Sequence, residues 1–151
     1  MAEQYVNVGA LVGEIGQGWI FHNSGFPVYI SVPKDDEEGG EIVIVLGVPA
    51  LTGDQRLILV TGVPNKTFAN LDTTLEAHLA NEVANAGLTL RSGDEHLRLH
   101  ASVPTTAREL KETVEKMVAM ERYIHDLRNA AAAGAWYAIG RQIVARSAST
   151  P

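Results

Sequence analysis

Five histidines are the side chains best suited to chemistry: His22, His78, His96, His100 and His125. Imidazole ligates metals and exchanges a proton near neutral pH, so their spacing decides what they can do together. His96 and His100 fall at the same parity in one strand-like segment. They share a face but stand about 13 Å apart, too far to hold one metal ion. No His-Glu-x-x-His pair or comparable helical spacing occurs. His78 neighbours Leu79 at the edge of an apolar stripe, and all five read as structural or solvated.

Other chemistry is equally thin. There are no cysteines, which removes disulfides, thiolate metal sites and thiol nucleophiles together. Gly13, Gly16 and Gly18 are ordered G-x-x-G-x-G with no strand leading in, so neither a dinucleotide loop nor a Walker loop is present. The acidic run at residues 35–38 lacks the spaced oxygens of a calcium loop and reads as solvated. Ser24, Ser31, Ser92 and Ser102 sit in turns or at strand ends, without a G-x-S-x-G elbow. Glu112 and Glu115 are spaced for solvent, and the Asn65-Lys66-Thr67 sequon has no signal-like segment to give it use. The expectation is a protein that is not an enzyme and carries no cofactor.

One constellation does form a surface. His96, Arg98 and His100 alternate with Leu97, Leu99 and Ala101, and Thr89 and Arg91 of the preceding segment join the same side. Arg91, His96, Arg98 and His100 are therefore the candidate cationic face, fit for an acidic peptide or a phosphate backbone. No aromatic residue is interleaved for base stacking, which favours the ordinary polar face of an antiparallel sheet over a nucleic-acid site.

The elements that carry these residues are punctuated by four stops: Ser31-Val32-Pro33, Gly47-Val48-Pro49, Gly62-Val63-Pro64 and Ser102-Val103-Pro104. Proline has no N–H and marks where ladder pairing ends. Before them, Tyr5, Val8, Leu11, Val12 and Ile15 predict a helix weakened by Gly9 and Gly13 and ended by Gly16 and Gly18. Strands are expected at 28–32, 42–48 and 56–63. The middle one is a continuous apolar run, as for a central strand covered on both faces. Their short, polar, Gly-bearing links favour antiparallel neighbours. A helix over 67–86 carries the stripe Phe68, Leu71, Leu75, Leu79 and Val83, with Gly87 as its stop. Strands at 88–91 and 96–103 follow. The last helix opens on the capping box Thr106-Ala107-Arg108-Glu109 and buries Leu110, Val114, Met117, Ile124 and Leu127.

With 151 residues at 46% apolar and 20% charged, the chain is one ordinary globular domain. Twelve basic against 18 acidic residues leave a net charge of −6, which argues against general binding of nucleic acid or anionic membrane. No apolar stretch approaches the ~20 residues of a membrane helix. With no secretory signal in view, a cytoplasmic location is expected.

The order helix, three strands, helix, two strands, helix (α-β-β-β-α-β-β-α), with a helical tail over about 130–147, resembles the type III secretion chaperone-like fold. In particular it is similar to the YbjN-like family of small bacterial proteins. The resemblance covers about 21–129. It rests on element order and on the joints Leu59-Val60-Thr61-Gly62-Val63-Pro64 and His100-Ala101-Ser102-Val103-Pro104, each leading to an amphipathic helix. It implies an α+β protein with an antiparallel sheet packed against helices, non-enzymatic and homodimeric. Such a protein holds a partly extended client segment or acts in regulation and stress response.

Met117, Met120, Ile124 and Leu127, followed by Trp136, Tyr137, Ile139 and Ile143, offer more apolar surface than one thin sheet covers. They are the candidate dimer or client interface. The tail can instead dock on its own core, stay free, or exchange between two subunits. Nucleic-acid binding through the cationic face and a small-ligand pocket between sheet and helix are the alternatives.

Overall fold

Alternation along two central strands sets the architecture. In one, Leu57, Leu59, Thr61 and Val63 are buried between half-buried or exposed neighbours; in the other, Leu97, Leu99 and Ala101 are. Such period-two patterning puts one face of a sheet against a core and leaves the other open. The computed structural model describes residues 7–34, 39–47, 55–67 and 73–132. Within them the elements are α1 (Val8–Ile15), β1 (Ile20–His22), β2 (Tyr29–Pro33), β3 (Glu41–Gly47), β4 (Arg56–Pro64), α2 (Thr73–Asn85), β5 (Thr89–Ser92), β6 (His96–Ser102) and α3 (Ala107–Ala132).

The six strands form one antiparallel sheet in the order β1-β2-β3-β4-β6-β5. Phe21, Ile30, Ile44, Leu59, Leu99 and Leu90 run as a row across its inward face. α3 lies on β4 and β6, α2 on β5, and α1 on β1 and α3. The core between them is continuous, from Val8, Leu11 and Val12 of α1 through Leu79 and Val83 of α2 to Leu110, Val114, Met117, Ile124 and Leu127 of α3.

Local chemistry explains the helix ends. The Asn7 side chain accepts a hydrogen bond from the Ala10 amide, and α1 stops at Gly16 with φ of 60°. Gly9 is needed inside that helix, because a Cβ there would lie 3.0 Å from the Phe21 ring of β1. Close packing on β1 thus offsets the helix propensity that glycine lacks. α2 ends at Gly87 with φ of 78°, its amide donating to the Ala84 carbonyl and the Leu88 amide to the Val83 carbonyl. At the start of α3 the Thr106 hydroxyl accepts from the Glu109 amide at 3.2 Å, the first half of the capping box.

The α+β class and the antiparallel sheet are as the sequence predicts. One strand is additional: β1, three residues long, pairs with β2 across the turn at 23–28. β3 departs from expectation: among the described residues, helices lie only on its inward face. Of its residues only Ile44 is fully buried, while Val43 faces solvent.

Candidate functional site

The sheet is not evenly closed. β3 and β4 pair at Val45–Ile58, Leu46–Leu57 and Gly47–Arg56, and there the register stops. Continued by two places, it would set Val43 against Val60. Those two are instead 44% and 48% exposed, the most exposed apolar residues of the central strands. β4 supplies the cause. Between Val60–Arg98 and Pro64–His96 its pairing to β6 shifts register, with four steps along β4 against two along β6. Such a bulge bends the strand that carries it. The Thr61 hydroxyl accepts from the Val63 amide at 3.1 Å and so satisfies a donor freed from the ladder. Gly62 leaves room for the His125 ring of α3, whose Cε1 would stand 3.0 Å from a Cβ there.

The result is a wedge between β3 and β4 that opens into a cleft of about 830 Å³. Ile42, Val43 and Val45 line one wall, Leu59 and Val60 the other, with Val114 and Val118 of α3 across from them. Charges of both signs rim it: Lys34, Glu41, Glu115 and Arg122, beside the Glu121–His125 pair at 2.8 Å. Both walls carry backbone polarity. The Leu46 amide donates to Val28 of the β2 side, and direction alternates along a strand. The amides and carbonyls of Glu41 and Val43 therefore turn toward β4, and those of Val60, the last residue before the bulge, turn toward β3. Beyond Val45–Ile58 no ladder partner meets them among the described residues.

The open face of the sheet holds a second feature. Arg91 of β5 stands directly opposite Arg98 of β6, His100 lies opposite Ile58, and Arg56 is one diagonal away on β4. Asp94 approaches Arg98 at 3.5 Å. Burial, then the positive fields of Arg91, Arg56 and Arg98, hold the pKa of His100 below its ordinary 6.5. Two nitrogens in this cluster, Arg98 Nε and His100 Nδ1, are buried without a hydrogen-bond partner among the described residues. His96 lies two places from Arg98 on the same strand and is half-buried.

The fold brings Arg91, His96, Arg98 and His100 together as the sequence predicts and adds Arg56. It also places an aromatic pair on this face, where none was expected: Tyr29 stacks on His22 at 4.3 Å, and His22 Nε2 is 3.0 Å from Ser31 Oγ. Tyr29 is three strand spacings from His100, about 14 Å. His78 Nε2 lies 2.7 Å from the Tyr123 hydroxyl, tying α2 to α3.

The expected apolar interface divides. Met117, Ile124 and Leu127 are buried in the chain's own core, so they are packing residues here rather than free surface, because α3 turns that stripe onto β4 and β6. Met120 is half-buried against the same core. Trp136, Tyr137, Ile139 and Ile143 lie outside the described residues.

Comparison with family models, with curated proteins and with solved structures finds nothing that matches this chain. The site must be read from its own geometry. Among the described residues, no helix is long and apolar enough to cross a membrane, and no group of three or more His, Asp or Glu side chains could hold a metal ion.

Proposed function

We propose that the protein is a non-enzymatic binding module that receives a short extended polypeptide segment in the wedge between β3 and β4. One observation carries the reading: both walls present backbone donors and acceptors that the sheet leaves without ladder partners. An extended backbone has the alternating groups to meet them, which is the basis of recognition by strand addition. The apolar lining from Ile42, Leu59, Val114 and Val118 would take alternate side chains of that segment. A small molecule could fill the volume but would satisfy only some of the backbone groups.

The action is chaperone-like or regulatory, and its setting is the cytoplasm. The likeness in element order to YbjN-like and secretion-chaperone proteins supports this reading, as does the lack of any catalytic constellation in the sequence. A second copy of the chain can supply the inserted segment, and this is how the expected homodimer would form. Met117, Ile124 and Leu127 would then serve folding rather than assembly.

Val43→Pro tests the wedge. The Val43 amide turns away from β2, so proline there removes a donor of the wedge while the β2–β3 ladder keeps its bonds. A permanently unfolded probe, reduced and carboxymethylated lactalbumin, should bind the wild-type chain and bind Val43→Pro about five-fold or more weakly. Sedimentation of both proteins reads the dimer in the same samples. Equal probe binding by the two would refute insertion at this wedge.

The open face favours one other reading. Arginines together with the His22–Tyr29 stack suit a single-stranded nucleic acid. That reading predicts affinity for an oligonucleotide that falls steeply with salt and that Val43→Pro leaves unchanged.

A further inference from the structure

We propose that Arg56, Arg91, Arg98 and His100 form a binding site for a doubly charged oxyanion, the class of a phosphate group, on the open face of β4, β6 and β5. The site is separate from the wedge and does not depend on what the wedge binds.

Positive charge on this face is poorly compensated. Like charges directly opposite each other on adjacent strands repel, and Arg91 and Arg98 are so placed. Among the described residues the one carboxylate paired with the cluster is Asp94, at 3.5 Å from Arg98 and with its side chain 98% exposed. Such a solvated partner contributes little. The chain has 18 acidic residues, yet on the outward positions of the described strands the register leaves only Glu41, at the far corner of β3 opposite Pro33.

Hydrogen bonding in the cluster is also incomplete. Arg98 Nε and His100 Nδ1 are buried with no hydrogen-bond partner among the described residues, and buried polar atoms in folded proteins are ordinarily satisfied. Guanidinium groups present forked donors that match the oxygens of phosphate, and several of them suit a dianion better than a single carboxylate. The neutral His100 ring, held so by burial and by the three arginines, adds a hydrogen-bonding group without adding a further positive charge. Among the described residues the helices pack on the inward face of the sheet, where their apolar residues join the core, and the oxyanion can be free phosphate or a phosphate carried on a larger molecule.

Inorganic phosphate titrated into the full chain, with sodium chloride adjusted to hold ionic strength constant, tests the site. Amide NMR should report saturable shifts confined to residues around 56, 91 and 98–100. Arg91→Gln and Arg98→Gln should each weaken binding about ten-fold or more while keeping the wild-type spectrum elsewhere. Val43→Pro should bind phosphate as the wild type does, which separates this site from the wedge. Phosphoserine as a second probe distinguishes an esterified group from free phosphate. Equal shifts with acetate, non-saturating shifts, or unaltered affinity in Arg91→Gln would overturn the proposal.

Discussion

His100 shows how one residue links the sheet face to stability. Its folded-state pKa lies below 6.5 because burial and three arginines oppose the imidazolium. The unfolded chain takes up this proton near pH 6.5, whereas the folded protein does so only at lower pH. Between those two values the unfolded state binds more protons, so stability falls as pH drops from about 6.5 through the depressed value, and it is full above the unfolded value. The groups facing His100 are Arg56, Arg91 and Arg98; His96 lies further along the strand, and Asp94 approaches Arg98. Urea midpoints recorded from pH 7.5 down to 5 should decline below about 6.5, and His100→Gln should flatten that decline. An equal decline in the variant would mean that other groups carry it. The four cationic and imidazole positions were legible from alternation in the sequence, because parity alone fixes a face. Arg56 was not, because its place beside them depends on β4 pairing with β6, whose partner in sequence order is β5.

Among the elements, the buried face of α3 is legible in the sequence. The spacing of Leu110, Val114, Met117, Ile124 and Leu127 marks a buried face, and all five are buried. Its role as free interface was not supported for Met117, Ile124 and Leu127, since a periodic apolar stripe looks the same whether its cover is intramolecular or a partner. Ile124→Ala should therefore lower unfolding stability by about 3 kcal/mol, as expected for a fully buried isoleucine truncated in a packed core. Denaturant titration checks this, and a loss under 1 kcal/mol would mean that the site is not packed as described. β1 escaped prediction because three residues carry too little pattern. The wedge escaped for a different reason. It arises from a bulge around Thr61-Gly62-Val63, and sequence alternation continues through a bulge without revealing that the backbone has left its register. Only Gly62, set in a run of β-branched residues, hinted at a close approach.

For the molecule as a whole, the described helices lie on one face of the sheet, and two separate features stand elsewhere: an apolar wedge whose backbone groups have no ladder partner among the described residues, and a positive patch on an acidic protein. Element order and the four Val-Pro stops were enough to predict the α+β class, since they report where ladders end. The long-range strand order, with β6 beside β4, and the splay of β3 from β4 were set by tertiary packing. Acquisition of a strand at the wedge is the central claim. Hydrogen exchange measured residue by residue on the full chain, with and without the carboxymethylated polypeptide, tests it most directly. In the free protein the amides of Val43 and Val60 should exchange much faster than those of Val45 and Ile58, whose ladder is closed. On binding, Val43 and Val60 should gain at least ten-fold protection together. Protection of Val43 and Val60 already equal to that of Val45 and Ile58 in the free chain, or unchanged when the probe binds, would contradict the account.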